Sequence, residues 1–185
     1  MHVPLIDLRA EYQQISAKLL PELEGFFSSG DYRMGKYVKE FEAVWAKYCH
    51  ADYCVGVNSG STALSLAYRV LFPPKSRILV PAMTFVAPAT ELIRGGFDLV
   101  LADVGQNSCL LDLPSTTESY DGVAHVDLYG AHCPVETEKP VVRDACQSHA
   151  LASSGEEITC YSFYPTKNLG CAGESGAIAF SYSPE

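Results

Sequence analysis

The sequence predicts an α/β fold built on a mainly parallel sheet. Two patterns lead there. Short runs rich in β-branched and apolar residues alternate with stretches of helical periodicity. Several of those runs then end in small or polar residues, as parallel strands do at a ligand-binding edge. Over 185 residues, 48% hydrophobic and 19% charged, the chain has material for one core and one domain.

The elements come in this order. Residues 8–28 read as a helix with a disturbance at Pro21. Residues 36–49 are a second helix, because Tyr37, Phe41, Val44, Trp45 and Tyr48 recur at helical spacing. That aromatic stripe belongs to a core or a subunit contact. Strands are expected at 53–57, 77–81, 98–102, 123–127, 140–143, 158–163 and 177–180. Helices are expected at 61–72 and 88–94. Only twelve residues separate Asp127 from Pro140, and Pro134 interrupts them. If the flanking strands are parallel neighbours, their connection is a bare loop where a helix is usual.

Composition excludes several classes. A net charge of -9 with no basic cluster argues against nucleic acid. No apolar run reaches membrane-spanning length, and Met1–Leu5 has no signal-peptide pattern. Seven cysteines, an odd number with no C-x-x-C, suit buried thiols in a reducing compartment, so the cytoplasm is expected. There is no P-loop, no G-x-G-x-x-G and no G-x-S-x-G elbow. His125, Asp127, His132 and Cys133 are metal-ligating types in no standard spacing, so no metal is expected.

Four segments carry chemistry. Asn58-Ser59-Gly60-Ser61-Thr62 joins a strand to a helix and aims free N–H groups and the positive helix end at one point. It reads either as a phosphate cradle or as an ordinary N-cap. Phe85 comes after a strand and either covers a flat ligand or fills the core. Asp144 ends an apolar strand and either pairs with a cation or caps the next helical turn. Gln147 and His149 lie in the same turn, within reach of a ring substituent. Lys167 sits in Tyr161-Ser162-Phe163-Tyr164-Pro165-Thr166-Lys167-Asn168, an aromatic and nearly uncharged stretch. Poor solvation there would lower its pKa and make it an imine-forming amine, whereas the alternative is a surface lysine. Together the segments supply what a pyridoxal-phosphate site needs.

At these motifs the chain resembles the DegT/DnrJ/StrS sugar aminotransferases, fold-type I pyridoxal-phosphate enzymes. The resemblance rests on Asn58-Ser59-Gly60-Ser61, Pro81-Ala82-Met83-Thr84-Phe85-Val86, Leu128-Tyr129-Gly130, Asp144-Ala145-Cys146-Gln147-Ser148-His149 and Ser162–Asn168. It implies a three-layer sandwich with a mixed central sheet, the cofactor-binding large domain. It implies that Lys167 carries pyridoxal 5'-phosphate as an imine and later shuttles a proton. Asp144 would pair with the pyridinium nitrogen, Gln147 with the phenolic oxygen, and Phe85 would stack on the ring. Gly60, Ser61 and Ser162 would hold the phosphate. The implied reaction passes an amino group, usually from glutamate, to the keto group of a nucleotide-linked sugar, in a homodimer.

Some positions depart from the pattern. Asp127 stands where the family has histidine, Ala131 where it has a polar residue, and Arg143 where it has an acid. Segments 111–122 and 131–140 look shortened. The family's smaller C-terminal domain is expected to be absent, so that residues 1–185 form a single trimmed domain. Half of a split enzyme, or a non-catalytic binding module, would share the same motifs.

Overall fold

The computed structural model describes residues 3–113, 116–132, 135–149 and 158–181. The elements are α1 (Leu8–Ser29), α2 (Lys36–Tyr48), β1 (Tyr53–Val57), α3 (Gly60–Leu71), β2 (Arg77–Pro81), α4 (Val86–Gly95), β3 (Asp98–Ala102), β4 (Gly122–Val126), β5 (Val141–Asp144), β6 (Ile158–Ser162) and β7 (Gly176–Phe180).

The chain divides into two compact units, residues 1–41 and 42–185. In the first, Asp7 caps α1 by accepting the Ala10 N–H at 3.0 Å, and left-handed Gly30 ends it. The helix runs unbroken through Pro21. Proline removes only its own bond to the carbonyl of Ala17, and the flanking bonds carry the helix past it. No residue of α1 is buried, and Ile15, Leu20, Leu23 and Phe27 are exposed. Phe26 meets the edge of Tyr37 at 5.6 Å.

The second unit holds a seven-stranded sheet in the order β1-β7-β6-β5-β4-β2-β3. The pairs β2–β3, β2–β4, β4–β5 and β5–β6 are parallel, whereas β7 pairs antiparallel with both β6 and β1. The sheet is therefore mixed, with β7 reversed against the other six strands. Alternate residues serve opposite faces. Ile78, Val80, Ala124, Val142, Cys160 and Ile178 pack with α3 and α4 through Leu64, Tyr68 and Leu92. Leu79, Val100 and Val123 form a separate cluster with Leu111, Leu113 and Tyr120. Trp45, from the end of α2, meets the edges of Tyr161 and Phe163, each at 5.1 Å.

Strands β4 and β5 are parallel neighbours, the case in which the short spacing requires a bare connection. Their connection carries one 3-10 turn, Leu128–Gly130, and no α-helix among the described residues. Five parallel-running strands, β1, β2, β4, β5 and β6, deliver their C-terminal ends to one edge, where Ser59, Phe85, Asp127, Asp144 and Ser162 succeed or end them.

Candidate active site

At that edge lies a cleft of ≈ 330 Å³. The seven residues that the resemblance assigns to the cofactor line it: Gly60, Ser61, Phe85, Asp144, Gln147, Ser162 and Lys167.

The β1–α3 turn is a capped helix start. Ser59 is the N-cap, and its Oγ accepts the Thr62 N–H at 3.1 Å. Ala63 N–H bonds the Ser59 carbonyl at 3.0 Å. The cap is therefore filled before Ser61 is reached. The N–H groups of Gly60 and Ser61 are left without intrahelical partners at the positive helix end. Gly60 must be small. A Cβ there would lie 2.7 Å from Cys146 Sγ and 2.8 Å from Ser162 Cβ. Gly176 is bound by the same packing, since its Cβ would meet the Ser59 carbonyl at 2.6 Å. The helix start is thus pressed against β6 and β7 at close range.

Asp144 ends β5 and is buried. Its Oδ1 accepts the Cys146 N–H at 3.0 Å, so it also caps the adjoining turn. Burial pushes its carboxyl up, and the positive charge of Lys167 works against that push. A cation close to the carboxylate would relieve the burial penalty further. Gln147 Oε1 accepts the Tyr129 N–H at 2.6 Å. Tyr129 sits in the left-handed region, φ 57°.

Lys167 lies in a loop pinned at both ends. Its N–H donates to the Tyr164 carbonyl at 2.8 Å, and Cys171 N–H donates to the Phe163 carbonyl at 2.8 Å. The side chain is half-buried, with Nζ 5.9 Å from the centroid of the Phe85 ring. Phe85 is exposed at the N-cap of α4, not a core residue. Ser162 Oγ accepts the Tyr164 N–H at 3.3 Å.

His149 does not join the cleft. It is buried, with Nε2 2.7 Å from the Ser162 carbonyl and Nδ1 3.1 Å from Asn168 Oδ1. It ties the Asp144 turn to the lysine loop. Its ring packs near Trp45 and Phe163.

Asp127 belongs to the cleft lining; in the sequence it stood out as a departure from the family pattern and as one of four metal-ligating residue types, not as a cleft residue. Its signal was its place, a polar residue at the C-terminal end of a strand. Asp127 Oδ2 lies 2.7 Å from Arg143 Nε, 2.6 Å from Arg143 Nη2 and 2.5 Å from Ser148 Oγ. Its Oδ1 lies 3.2 Å from both His125 Nε2 and His132 Nδ1. Burial pushes this carboxyl up, but the neighbouring His125, Arg143 and Ser148 outweigh it and hold it well below the usual carboxylate range. The backbone N–H of Asp127 also bonds the Asp144 carbonyl at 3.0 Å. Cys133, the remaining residue noted in that group, lies outside the described residues.

A lysine, a buried carboxylate and a helix N-terminus converging at this sheet edge define an aminotransferase-type α/β domain. Solved structures agree. Streptomyces venezuelae DesV, in complex with a ketimine intermediate, matches at TM-score 0.86 and 30% identity, over 96% of this chain and 53% of that one. A 3-amino-5-hydroxybenzoic acid synthase matches at TM-score 0.73 and 28% identity, over 80% and 43%. The chain belongs to the DegT/DnrJ/EryC1/StrS aminotransferase family, whose model matches residues 13–183. Among curated relatives, the dTDP-3-amino-3,4,6-trideoxy-alpha-D-glucose transaminase of Streptomyces venezuelae is 32% identical over 95% of this chain and 52% of its own length. The UDP-2-acetamido-2-deoxy-3-oxo-D-glucuronate aminotransferase of Pseudomonas aeruginosa is 28% identical over 95% and 54%. The chain spans about half the length of the curated relatives it matches. Among the described residues, no helix is long and apolar enough to cross a membrane.

Proposed function

We propose that this chain is the pyridoxal-phosphate-binding domain of an aminotransferase that passes an amino group, from glutamate, to a keto group of a nucleotide-linked sugar. The observation that carries the reading is the convergence of Lys167, Asp144, Gln147 and Phe85 with the Gly60–Ser61 helix start on one cleft. The relatives that act on dTDP- and UDP-linked sugars support the substrate class.

The cleft fits the cofactor on its own geometry. A bare Gly60 lets the helix start close on Ser162, so that one anion can meet both the helix N–H groups and that hydroxyl. Asp144 is a buried acid in want of a cation, which a pyridinium supplies. Pyridoxal phosphate, when bound, supplies an aldehyde that condenses with amines and a cationic ring that accepts electrons. The protein does the rest. The N–H groups of Gly60 and Ser61, with the hydroxyls of Ser61 and Ser162, bind the phosphate. Asp144 keeps the ring nitrogen protonated. Gln147 orients the ring through its phenolic oxygen, and Phe85 covers one face and excludes water. Lys167 holds the cofactor through Nζ and, once released, moves a proton with the same amine.

Residues 1–185 form one cofactor-binding domain in this reading, working as a homodimer in the cytoplasm. The exposed Ile15, Leu20, Leu23 and Phe27 of α1 support a second copy as partner. The free thiols of Cys49, Cys54, Cys109, Cys146, Cys160 and Cys171 support a reducing compartment.

The test is a half-reaction. Protein loaded with pyridoxal phosphate should lose its lysine-bound absorbance band when glutamate is added and regain it with the right member of a panel of nucleotide-linked keto-sugars. A band that no amino donor changes would count against amino transfer by this chain and for a binding module or half of a split enzyme.

A further inference from the structure

We propose that His125, Asp127 and His132 form a binding site for a divalent transition-metal ion of the zinc class. The sequence spacing, H-x-D-x4-H, matches no standard pattern. The fold closes it. His125 lies on β4, Asp127 comes directly after that strand, and the turn at Leu128–Gly130 reverses the chain through left-handed Tyr129 and Gly130. His132 thereby returns to Asp127.

The donor atoms converge. His125 Nε2 and His132 Nδ1 each lie 3.2 Å from Asp127 Oδ1, and all three lie within 4.8 Å of one another. A tetrahedral ion with bonds of about 2.0–2.1 Å places its ligands roughly 3.3 Å apart. The two carboxylate–imidazole edges already have that length, and only the imidazole–imidazole edge must close. The two rings do not stack. Their planes cross at 71° with centroids 6.4 Å apart.

Two further observations point to a ligand. His125 is buried, and neither ring nitrogen makes an aligned hydrogen bond among the described residues, although Nε2 faces Asp127 Oδ1. A buried ring nitrogen without a partner is costly, and coordination satisfies Nε2, the one that faces Asp127. Arg143 and Ser148 meanwhile hold Asp127 Oδ2 and fix the carboxylate with Oδ1 towards the imidazoles. That is the outer-shell arrangement that orients a ligating carboxylate.

The same arginine sets the selectivity. Its charge offsets that of Asp127, so affinity comes mainly from the two imidazoles. Ions that favour nitrogen, such as Zn²⁺, Co²⁺ or Ni²⁺, suit the site, whereas Mg²⁺ and Ca²⁺, which need more oxygen ligands, do not. His132 has a side chain 29% exposed, which gives the ion a way in. Three protein ligands leave a position open. Asp127 also lines the cleft, so the ion would sit at its margin.

The experiment needs no cofactor or substrate. The protein of residues 1–185, dialysed against a chelator, is titrated with Co²⁺ and then competed with Zn²⁺. One Co²⁺ per chain is expected, with the visible ligand-field bands of a low-coordinate nitrogen–oxygen site. His132→Gln, at a partly exposed position, should weaken binding at least tenfold while the far-ultraviolet circular dichroism stays unchanged. Zn²⁺ should displace the Co²⁺, and Mg²⁺ at the same concentration should not. No stoichiometric binding overturns the proposal. So does binding that survives His132→Gln, or that shows the intense sulfur charge-transfer absorption of a cysteine site.

Discussion

Arg143 and Asp127 are partners across neighbouring strands: the guanidinium Nε and Nη2 lie 2.7 and 2.6 Å from one carboxylate oxygen, with both side chains almost wholly buried. Both positions depart from the pattern the sequence resembles, which has histidine at 127 and an acid at 143. The pair also fixes Ser148 and adjoins Asp144, so it braces the turn that carries Asp144 and Gln147.

Breaking this pair should be expensive. Removing one partner of a buried ion pair leaves an uncompensated charge and costs about 3–5 kcal/mol. Arg143→Met should lower the denaturant midpoint accordingly. The double variant Asp127→Asn with Arg143→Met should recover much of the loss, giving a coupling energy of more than about 1 kcal/mol in a double-mutant cycle. Additive losses would mean that the two side chains do not depend on each other.

Gly60→Ala tests the close approach of α3 to β6. The new Cβ would lie 2.7 Å from Cys146 Sγ, so sulfur or helix must shift. Overpacking of this kind costs about 1–3 kcal/mol. Thermal melting should report that loss, and equilibrium titration should report weaker pyridoxal-phosphate binding. Wild-type stability would show that the helix start is not tightly held.

Asp144→Asn separates stability from function. Asparagine keeps an oxygen for the Cys146 N–H and removes a carboxyl that burial disfavours. Folding stability of the cofactor-free protein should hold or rise. Amino transfer should fall by more than about tenfold, because the ring nitrogen loses its counter-charge, a loss above about 1.4 kcal/mol. A variant as active as wild type would remove Asp144 from the cofactor's electronics.

Alkaline pH should destabilise the fold. Burial, then the charges of Cys49 and Glu42, pushes the Cys54 thiol up to about 12, and burial raises the thiols of Cys49, Cys146 and Cys160 as well. Unfolded thiols ionise near about 8.5. Above that pH the unfolded chain holds fewer protons than the folded one, so unfolding is favoured as pH rises towards the folded values. The urea midpoint should drop between neutral pH and pH of about 9.5, and less steeply in Cys54→Ala. A midpoint flat across that range would contradict the burial of these thiols.

Much of this architecture was legible in the sequence. Strands β1, β2 and β3 end where their apolar runs end, because Pro81 and polar neighbours mark the borders. Others moved by one residue, as β5 did to include Asp144, since the last ladder partner is set by the neighbouring strand. The seven cleft residues were readable because each lies at or just after a strand end, where the topology of a parallel sheet gathers them. The partners of Asp127 were not, because Arg143 and Ser148 are 16 and 21 positions away and nothing local announces them. His149 misled for the same reason. Its place in the motif suggested a ligand, whereas Trp45 and Phe163, distant in sequence, enclose it. Ser59, just ahead of the expected helix start, took the capping role and left Ser61 to the cleft.

The proposed function turns on Lys167 holding pyridoxal phosphate in this cleft. Borohydride reduction of the cofactor-loaded protein, with peptide mass mapping, tests that directly. One phosphopyridoxyl adduct per chain is expected, on the peptide containing Lys167, and none on that peptide in Lys167→Ala. An adduct on another lysine, or none in the wild-type protein, would contradict it.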